Sequence, residues 1–447
     1  MIAPGTTGAY SYFEARNHAK FDNIVFFGLQ YILKEYLEGQ VVTQEKINDA
    51  AEICKAHFGD DKAFNRAGWQ YILEKHGGKL PVRIKSVPEG SVIPKNNVLF
   101  TVENTDENCA WLTSYLESIL SHVWASCQVA SLARECKIMI KSYLDKTSEN
   151  LSGLNFMLHC FGYRSVSSQE SAGILGCSNL TSFFGTDTIP AIEFARDYYN
   201  ANLNETAFSV PASEHQVMCA LGEEGEKEIV QMLLNKYTKG ILSVVADGYD
   251  YVRFIRDYVC GDFKQQILDR DGVFVCRPDS ITPEFNTPES LTLWTVQTLW
   301  DSFGGVINNK GCKVLNSKVK CLWGDGINKE GIELILKTVS DAGFSVECLV
   351  FGMGGNYLQK GIYRDFLAFA FKSSSQCRNG VWHDVFKNPL DKSKVSKKGR
   401  LKLIKEDGAY KTVNESDLRQ DELVTAFESG ELKVNYTFDE VRKNAEL

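Results

Sequence analysis

Residues 155–187 read NFMLHCFGYRSVSSQESAGILGCSNLTSFFGTD, and this stretch decides the fold class. It contains two short apolar runs, Asn155–Arg164 and Leu180–Asp187, and each run ends in a polar side chain. A short apolar run bounded by turn residues is typical of a buried strand in a parallel sheet. We therefore interpret this stretch as two strand-forming units that carry polar residues at their ends.

The same pattern recurs five more times towards the C-terminus. The further runs are Ala207–His215, Ile241–Asp247, Val273–Asp279, Val319–Asp325 and Cys348–Gly355. Segments with helical spacing of apolar residues lie between the runs: Ile189–Tyr199, Lys227–Lys236, Tyr251–Tyr258 and Leu291–Phe303. This alternation predicts an α/β fold with a parallel sheet. In a β/α barrel, side chains at the carboxyl ends of the strands form a shared ligand site.

The two ends of the chain have a different pattern. Asn23–Leu37 has helical spacing, whereas Leu401–Ile404 and Leu432–Phe438 resemble strands. We expect the C-terminal tail to pack against the N-terminal region as a second domain. The predicted division is 1–150 for the N-terminal part of that domain, 151–380 for the barrel and 381–447 for the returning tail.

Composition limits the functional classes. The chain has 447 residues, is 44% hydrophobic, and carries 49 basic against 57 acidic side chains, a formal charge of −8. This balance argues against a general nucleic-acid-binding protein, which would be strongly basic. The 13 cysteines form no CxxC pair, no secretory leader is recognisable, and no apolar run is long enough to cross a membrane. We therefore expect reduced thiols, a cytoplasmic location and no membrane partner.

The first two strand ends offer an aromatic ring and a carboxylate. Phe161 is suited to stack on a flat ring, and Arg164 to bind phosphate with its forked guanidinium. Core packing and a salt bridge would explain the same two residues. Asp187 is suited to accept a hydrogen bond from a carboxamide and to repel a carboxylate, although a helix cap is the simpler interpretation of an aspartate before Pro190.

The next strand ends are suited to a phosphorylated sugar. His215 is a candidate proton carrier or phosphoryl acceptor, because imidazole can do both, although a lone histidine is more often structural. Asp279 and Asp325 are suited to bind ribose hydroxyls or Mg²⁺ together with substrate phosphates, and Arg277 precedes the first of them. Turn chemistry would also account for the Asp-Gly pair at Asp325.

The last run ends in the glycine turn Phe351–Gly355. Barrel enzymes often bind phosphate on backbone N–H groups after their last strands, and this position favours Gly354 and Gly355 as phosphate contacts. The basic stretch Lys387–Lys402, which includes Lys392 and Lys394, is usually a solvated loop. Here it is suited to attract polyphosphate substrates.

An ordered set of motifs resembles the type II family of nicotinate and nicotinamide phosphoribosyltransferases, and its nicotinamide-using members in particular. The motifs are FGYRSVSSQESAG, GTDT, SVPASEH, SVVADGYD, RPDS, GDG, FGMGGNYLQK, SKKGRLKL and YTFDEVRKNAEL. Each is moderately specific, and their order along the chain is highly specific. The resemblance extends from about Tyr10 to Leu447.

The resemblance implies a fold and an activity. The implied fold is a seven-stranded parallel β/α barrel with a flanking mixed α+β domain built from both ends of the chain. The implied reaction transfers phosphoribosyl from phosphoribosyl pyrophosphate to nicotinamide, giving nicotinamide mononucleotide and pyrophosphate in NAD salvage. It implies Mg²⁺, ATP as co-substrate through a phosphohistidine, and a homodimer with active sites at the subunit interface.

The resemblance also implies roles for individual residues. Phe161 would stack on nicotinamide, Asp187 would hold the amide, and Arg277 would lie beside the base and the ribose. The ribose would be held by Asp279, Gly324 and Asp325, and the 5′-phosphate would be bound by Gly354 and Gly355 together with Arg364 of the partner subunit. Pyrophosphate and magnesium would be contacted by Arg164, Asp247 and Ser243, the phosphate channel would be lined by Arg16, Lys372, Lys387 and Lys394, and His215 would be phosphorylated. Mg²⁺ would be bound through the substrate pyrophosphate, and Asp247 or Asp279 are its candidate protein ligands.

Two departures from the family pattern leave alternatives open. The family begins with an Asp-Ser-Tyr-Lys segment whose tyrosine stacks on the base of the other subunit, and this sequence starts after that point at Met1–Gly5. Cys160 stands where the family has an aspartate. They leave open a non-catalytic dimeric metabolite-binding homologue that lacks the stacking segment. The nearest enzyme alternative is a nicotinate phosphoribosyltransferase, which would need a cationic or neutral group where Asp187 stands.

Overall fold

The computed structural model describes residues 2–390 and 394–447, and the chain forms two compact units. Unit 1 comprises Met1–Ser131, Ala195–Ala201 and Ile362–Glu446, and unit 2 comprises Leu132–Phe194 and Asn202–Gly361, with Leu447. The units divide after residues 131 and 361, whereas the predicted boundaries follow residues 150 and 380. The assignment of domains stays a prediction.

The strands are numbered in chain order. They are β1 (Thr6–Ala15), β2 (Asn23–Val25), β3 (Val82–Ser86), β4 (Val92–Pro94), β5 (Val98–Asn104), β6 (Leu158–Cys160), β7 (Gly185–Thr186), β8 (Lys239–Val245), β9 (Asp271–Arg277), β10 (Gly305–Ile307), β11 (Lys313–Leu315), β12 (Val319–Trp323), β13 (Leu349–Met353), β14 (Phe369–Arg378), β15 (Val381–Asp384), β16 (Leu401–Glu406), β17 (Ala409–Asn414), β18 (Val424–Glu428) and β19 (Glu431–Leu432).

The α-helices are numbered in the same way. They are α1 (Leu29–Ile32), α2 (Gln44–Phe58), α3 (Arg66–His76), α4 (Leu112–Tyr115), α5 (Glu117–Ser121), α6 (Val123–Thr147), α7 (Gln169–Asn179), α8 (Pro190–Tyr199), α9 (Leu203–Thr206), α10 (His215–Met218), α11 (Gly222–Lys236), α12 (Tyr251–Arg253), α13 (Lys264–Asp269), α14 (Pro288–Phe303), α15 (Lys329–Asp341), α16 (Gly355–Leu358) and α17 (Phe438–Ala445). Leu33–Leu37 and Phe254–Asp262 are π-helical, and short 3₁₀ turns lie at Glu107–Cys109, Leu154–Phe156, Tyr163–Ser165 and Val346–Cys348. Within the part of the chain that the structure describes, no helix is both long and apolar enough to span a bilayer.

Unit 1 contains an antiparallel sheet with the strand order β15-β14-β1-β5-β3-β18-β19. Strand β1 is buried along almost its whole length, and its Phe13 stacks on Phe100 and Phe369 with ring centroids 4.8 and 5.2 Å apart. Aromatic stacking of this kind adds to the hydrophobic burial that holds neighbouring strands together. Strands from both ends of the chain therefore share one sheet and one apolar core.

Unit 2 contains a parallel sheet with the strand order β7-β6-β13-β12-β9-β8. Six of the seven apolar runs of the sequence contain these strands, so the prediction of alternating strands and helices around a parallel sheet is confirmed for them. The central strands are buried on both faces, as a parallel sheet between helices requires. Their carboxyl ends lie along one edge of the sheet, where the predicted site residues follow.

The seventh run, Ala207–His215, forms two isolated parallel bridges instead of a regular strand. Phe208 pairs with Gly185 of β7, and Ala212 pairs with Ser243 of β8. Pro211 has no N–H to donate, which interrupts a continuous ladder here, but its carbonyl accepts from Ser243 N at 3.0 Å. The run thus contacts both outer strands of the sheet, and the closed seven-stranded barrel stays a prediction.

Two elements of the terminal regions differ from the predictions. Asn23–Leu37 is not one helix, because Asn23–Val25 pairs with β4 and α1 begins only after Gly28, whose φ is 104°. Leu432–Phe438 is not a strand, because β19 ends at Leu432 and Thr437 begins α17 with a capping box to Glu440. The strand predicted at Leu401–Ile404 is present as β16.

Candidate active site

The polar strand ends of unit 2 surround two adjoining polar cavities. The larger has a volume of about 750 Å³ and the smaller about 220 Å³, and both are lined by Phe161, Arg164, Arg277 and Asp279. Of these two cavities, only the larger is lined by Asp187 and His215. The smaller cavity is lined in addition by Gly324, Asp325, Gly354 and Gly355. The structure therefore brings together ten of the residues selected from the sequence.

Phe161 provides an aromatic plate between these cavities. It follows β6 directly, and its backbone N–H donates to Met353 O at 2.9 Å, which ties it to the end of β13. The guanidinium of Arg277 lies 5.6 Å from the ring centroid. A Cβ added at Gly352 would lie 2.1 Å from the ring, so only glycine at this position leaves space for Phe161.

Asp187 follows β7 and is held in place by its neighbours. Its backbone N–H donates to Cys160 O at 3.0 Å, and the Ser209 hydroxyl donates a short hydrogen bond to its Oδ1. Its Oδ2 accepts no hydrogen bond from the residues that the structure describes. A carboxylate fixed by one oxygen is suited to accept an N–H group with the other.

A third cavity, of about 270 Å³, is mostly apolar and adjoins the plate and this carboxylate. His159 lines it, and burial lowers the pKa of this histidine although the charge of Asp187 acts in the opposite direction. The cavity is also lined by Ser243, which the resemblance assigned to pyrophosphate. Ser243 lines neither of the two polar cavities described above.

His215 begins α10 and contacts the end of β8 through Asp247. Its Nε2 lies 3.0 Å from Asp247 Oδ1, while the Ser280 hydroxyl donates to Asp247 Oδ2 at 2.6 Å. The Asp247 side chain is 8% exposed and that of His215 is 45% exposed. The carboxylate is thus buried between two partners, and the ring remains accessible to a ligand.

Two carboxylates, Asp279 and Asp325, line the smaller cavity, and the charge of a third, Asp247, acts on Asp325. Arg277 donates to Asp279 Oδ1 from Nε at 3.3 Å and from Nη2 at 3.0 Å. Burial raises the pKa of Asp325, and the charges of Asp279 and then Asp247 raise it further. Such a cluster favours a cation or the hydroxyls of a sugar.

The glycine turns give the smaller cavity a wall of backbone. A Cβ added at Gly354 would lie 3.3 Å from Phe161 O, and one at Gly355 would lie 3.5 Å from Ser165 Oγ. Asn356 donates to Gly326 O at 2.7 Å and to Ile327 O at 3.0 Å, which joins this turn to the one after β12. Backbone N–H groups are the donors that such a wall offers to an anion.

The remaining predicted residues lie in unit 1 and line none of these three cavities. Burial lowers the pKa of Lys372, and the positive charges of Arg16, Arg364 and Lys387 lower it further against the opposing charge of Glu117. These four basic residues, Arg16, Arg364, Lys372 and Lys387, form the basic group around Lys372. Lys394 also belongs to unit 1 and is exposed, and Lys392 lies outside the described residues.

Three residues of the site were not selected from the sequence. Ser209 and Ser280 belong to quoted motifs, but the motifs do not show which carboxylate each hydroxyl contacts. His159 was part of the first apolar run, and an alternating pattern gives no signal that a histidine lines a cavity. The contacts of all three depend on residues distant in the chain.

Comparisons with known proteins give one consistent result. Residues 156–437 match the model of the "Nicotinate phosphoribosyltransferase (NAPRTase) family", and residues 2–84 match "Nicotinamide phosphoribosyltransferase, N-terminal domain". A nicotinamide phosphoribosyltransferase of Xanthomonas campestris pv. campestris is 38% identical over 455 residues, which cover 99% of this chain and 94% of that protein. One of Acinetobacter baylyi is 34% identical over 475 residues, covering 98% of this chain and 93% of that protein.

Solved structures show the same fold at low sequence identity. The nicotinate-nucleotide pyrophosphorylase of Pyrococcus furiosus has a TM-score of 0.61 and 14% identity, covering 98% of this chain and 88% of that chain. Human nicotinic acid phosphoribosyltransferase has a TM-score of 0.54 and 13% identity, covering 99% of this chain and 89% of that chain.

Proposed function

The chain belongs to the nicotinate phosphoribosyltransferase family, and we propose that it transfers phosphoribosyl from phosphoribosyl pyrophosphate to nicotinamide. The products are nicotinamide mononucleotide and pyrophosphate, a reaction of NAD salvage. Membership of the family makes the chain a phosphoribosyltransferase. The choice of nicotinamide over nicotinate depends on Asp187.

Asp187 carries the choice of substrate. Phe161 offers the face of its ring to a flat base, and Asp187 lines the same cavity. Because Ser209 occupies Oδ1 of Asp187, Oδ2 is available for the amide N–H of nicotinamide. Nicotinate would place a second carboxylate here, and two close carboxylates disfavour each other's charge.

The reaction needs position and charge stabilisation more than a proton acceptor. The pyridine nitrogen of nicotinamide has a free lone pair that can attack ribose C1 directly. Phe161 and Arg277 would hold the base in line with C1, and such positioning removes much of the entropic barrier. Positive charge that develops at C1 would be stabilised by Asp279 and Asp325.

The departing pyrophosphate requires positive charge. Mg²⁺ would be bound mainly through the pyrophosphate oxygens, with Asp247 or Asp279 as its candidate protein ligand, and it would neutralise charge on the leaving group. Arg164 would bind the same anion, and its position in the walls of both polar cavities supports this role. Gly354 and Gly355 would bind the 5′-phosphate on their backbone N–H groups.

ATP is the proposed co-substrate, with His215 as its phosphoryl acceptor. Nε2 of His215 is held by Asp247, which leaves Nδ1 as the nitrogen that takes up the phosphoryl group. The resemblance gave Asp247 a contact to pyrophosphate and magnesium. We propose that Asp247 acts more directly on His215. A carboxylate on the far nitrogen orients the ring and stabilises the positive charge that phosphorylation creates.

We further propose a cytoplasmic homodimer whose active sites combine residues of both subunits. In support, Arg364 and the basic group around Lys372 belong to unit 1, and they line none of the cavities described in unit 2. Within unit 2 we propose that the run Ala207–His215 closes the sheet as its seventh strand. The bridges of Phe208 and Ala212 to the two outer strands support this closure.

The test is a product assay with the purified chain. We expect nicotinamide mononucleotide from nicotinamide, phosphoribosyl pyrophosphate and Mg²⁺, with a higher yield when ATP is added. Product from nicotinate alone would instead show a nicotinate phosphoribosyltransferase. Binding of nicotinamide without product from either base would show a non-catalytic binding protein. Chromatography of the products separates the mononucleotides of the two bases.

A further inference from the structure

Ser280 lies next to Asp279, but its side chain contacts a different part of the site. Its hydroxyl donates to Asp247 Oδ2 at 2.6 Å, while Asp247 Oδ1 lies 3.0 Å from His215 Nε2. Asp279, one residue earlier, holds Arg277 beside the aromatic plate. One short turn after β9 therefore contacts both the sugar-binding groups and the carboxylate behind His215.

We propose that Ser280 is a positioning residue for phosphoryl transfer to His215 and acts through Asp247. The proposal rests on the proposed function, because it requires that ATP phosphorylates this histidine. The Asp247 side chain is almost completely buried, so its orientation depends on its hydrogen-bond partners. With the Ser280 hydroxyl on one oxygen, the carboxylate keeps its other oxygen directed at the imidazole.

The chemical step defines what this orientation achieves. The Nδ1 lone pair of neutral His215 forms a bond to the γ-phosphorus of ATP, the bond from phosphorus to the β,γ-bridging oxygen breaks, and ADP leaves with that electron pair. The imidazole keeps its proton on Nε2 and becomes positively charged. Asp247 accepts that proton in a hydrogen bond and stabilises the charge. Hydrolysis of the N–P bond later returns histidine and inorganic phosphate.

Loss of the Ser280 hydroxyl should leave Asp247 free to rotate away from the ring. Hydrogen bonds to charged groups contribute enough that their loss slows a dependent step by about tenfold. We expect Ser280→Ala to form phosphohistidine from radiolabelled ATP and Mg²⁺ about tenfold more slowly. Ser280→Thr keeps the hydroxyl and should recover most of the rate.

A double-mutant comparison separates positioning from a general structural role. If Ser280 acts through Asp247, Ser280→Ala will cause no further slowing in an Asp247→Asn background. A merely structural role would slow both backgrounds equally. Ser345→Ala is the matched control, because it removes a hydroxyl from a carboxylate outside the three cavities, Glu347. It should leave the rate of phosphohistidine formation within twofold.

The phosphorylation assay contains no nicotinamide, so it is read independently of mononucleotide formation. An unchanged rate in Ser280→Ala, or equal slowing in both backgrounds, overturns the inference. An unsubstituted chain that makes mononucleotide but no phosphohistidine overturns it as well, together with the role of ATP. Phosphohistidine without mononucleotide would reject the proposed substrate and leave the result for Ser280 valid. If Ser280→Ala does not fold, Ser280→Cys provides the same comparison.

Discussion

At the scale of single residues, three carboxylates of the candidate site are each held by a hydroxyl or a guanidinium. Ser209 holds Asp187, Ser280 holds Asp247, and Arg277 holds Asp279. A carboxylate fixed in this way keeps one oxygen for a ligand or for a second side chain. Under the proposed function, specificity for an amide would follow from Oδ2 of Asp187, the oxygen that Ser209 does not occupy.

Asp187→Asn should reduce the preference for nicotinamide over nicotinate. The amide of asparagine removes the negative charge that repels nicotinate, and it can donate to a carboxylate. We expect the ratio of kcat/KM values for the two bases to change by about tenfold or more, the effect of a hydrogen bond to a charged group. Competition between the two bases in one reaction measures this ratio. An unchanged ratio would show that another residue selects the base.

Gly352→Ala should disable the base site through Phe161. The added Cβ would lie 2.1 Å from the phenylalanine ring, far inside van der Waals contact, so the ring must move. We expect a rise of at least about tenfold in the KM for nicotinamide, because the aromatic plate contributes on the order of a kcal/mol and its displacement also narrows the cavity. Steady-state kinetics provide the measurement.

Gly153→Ala is the control for this substitution. Gly153 lines the apolar cavity beside Phe161, and a Cβ added there meets no atom within 4 Å. The control should keep nearly normal kinetics. Equal KM values for the two variants would contradict the assigned position of Phe161.

At the scale of elements, the sequence predicted the strands that short apolar runs form. It did not predict the element boundaries that depend on a single glycine or on side-chain contacts. Six runs became strands of one parallel sheet, because their burial on both faces leaves a continuous apolar signal. Asn23–Leu37 also shows apolar residues at helical spacing, yet a left-handed Gly28 divides it. In the same way, the capping box of Thr437 and Glu440 favours a helix where hydrophobic alternation indicated a strand.

The candidate site, like the fold, could be predicted in part. The ends of parallel strands meet at one edge whatever the loops do, so Phe161, Asp187, Arg277 and Gly355 could be grouped from their order alone. The partner of each hydroxyl could not, since Ser280 and Asp247 are separated by 33 positions in the chain. Their contact depends on how two loops pack, which has no local signature in the sequence.

Glu89 provides a pH-dependent test of how α1 begins. Its carboxylate accepts from Gly28 N and Gln30 N at 2.7 Å each, and burial raises its pKa to about 7 although these N–H groups lower it. A folded-state pKa above the ordinary 4.5 means that the folded chain binds this proton more tightly than the unfolded chain does. The contribution to stability is therefore complete below pH about 4.5 and is lost as the pH rises to about 7.

Glu89→Gln removes this titration. The stability of the unsubstituted chain relative to the variant should fall between pH 5 and pH 8 by at most about 3 kcal/mol, from the size of the pKa shift. Denaturant unfolding at the two pH values measures the difference. Glu74→Gln, which changes an exposed carboxylate of the same unit, should follow the unsubstituted chain at both pH values. A difference that grows with pH would contradict a raised pKa.

At the scale of the whole molecule, the two ends of the chain and its middle part form different sheets. Both ends form the antiparallel sheet of unit 1, and the middle forms the parallel sheet of unit 2 with its cavities. The predicted phosphate-channel residues Arg16 and Lys372 belong to unit 1, and so does Arg364, the predicted 5′-phosphate contact from the partner subunit. An active site that needs these unit 1 residues as well as the cavity residues of unit 2 can be completed by a second copy of the chain, as a symmetric dimer allows.

Mixing two inactive variants tests this completion directly. Asp279→Asn damages the ribose site of unit 2, and Arg364→Ala removes a proposed phosphate contact of unit 1. If Arg364 acts in the partner's site, each mixed dimer has one site with both damaged residues and one site with neither. Random mixing should then restore about a quarter of the normal activity, because half of the symmetric dimers are mixed and each has one intact site.

The control pairs Asp279→Asn with Gly352→Ala, two substitutions in the same unit. Every site of a mixed dimer then carries one of the two defects, so activity should stay at the level of the separate variants. Mononucleotide formation gives the activity of the random mixture, and mixed dimers isolated with two affinity tags should have about half of the normal activity, because one of their two sites is intact. Recovery in the first mixture but not in the control requires that Arg364 and Asp279 of one active site come from different chains. Equal failure of both mixtures would place Arg364 in the site of its own subunit.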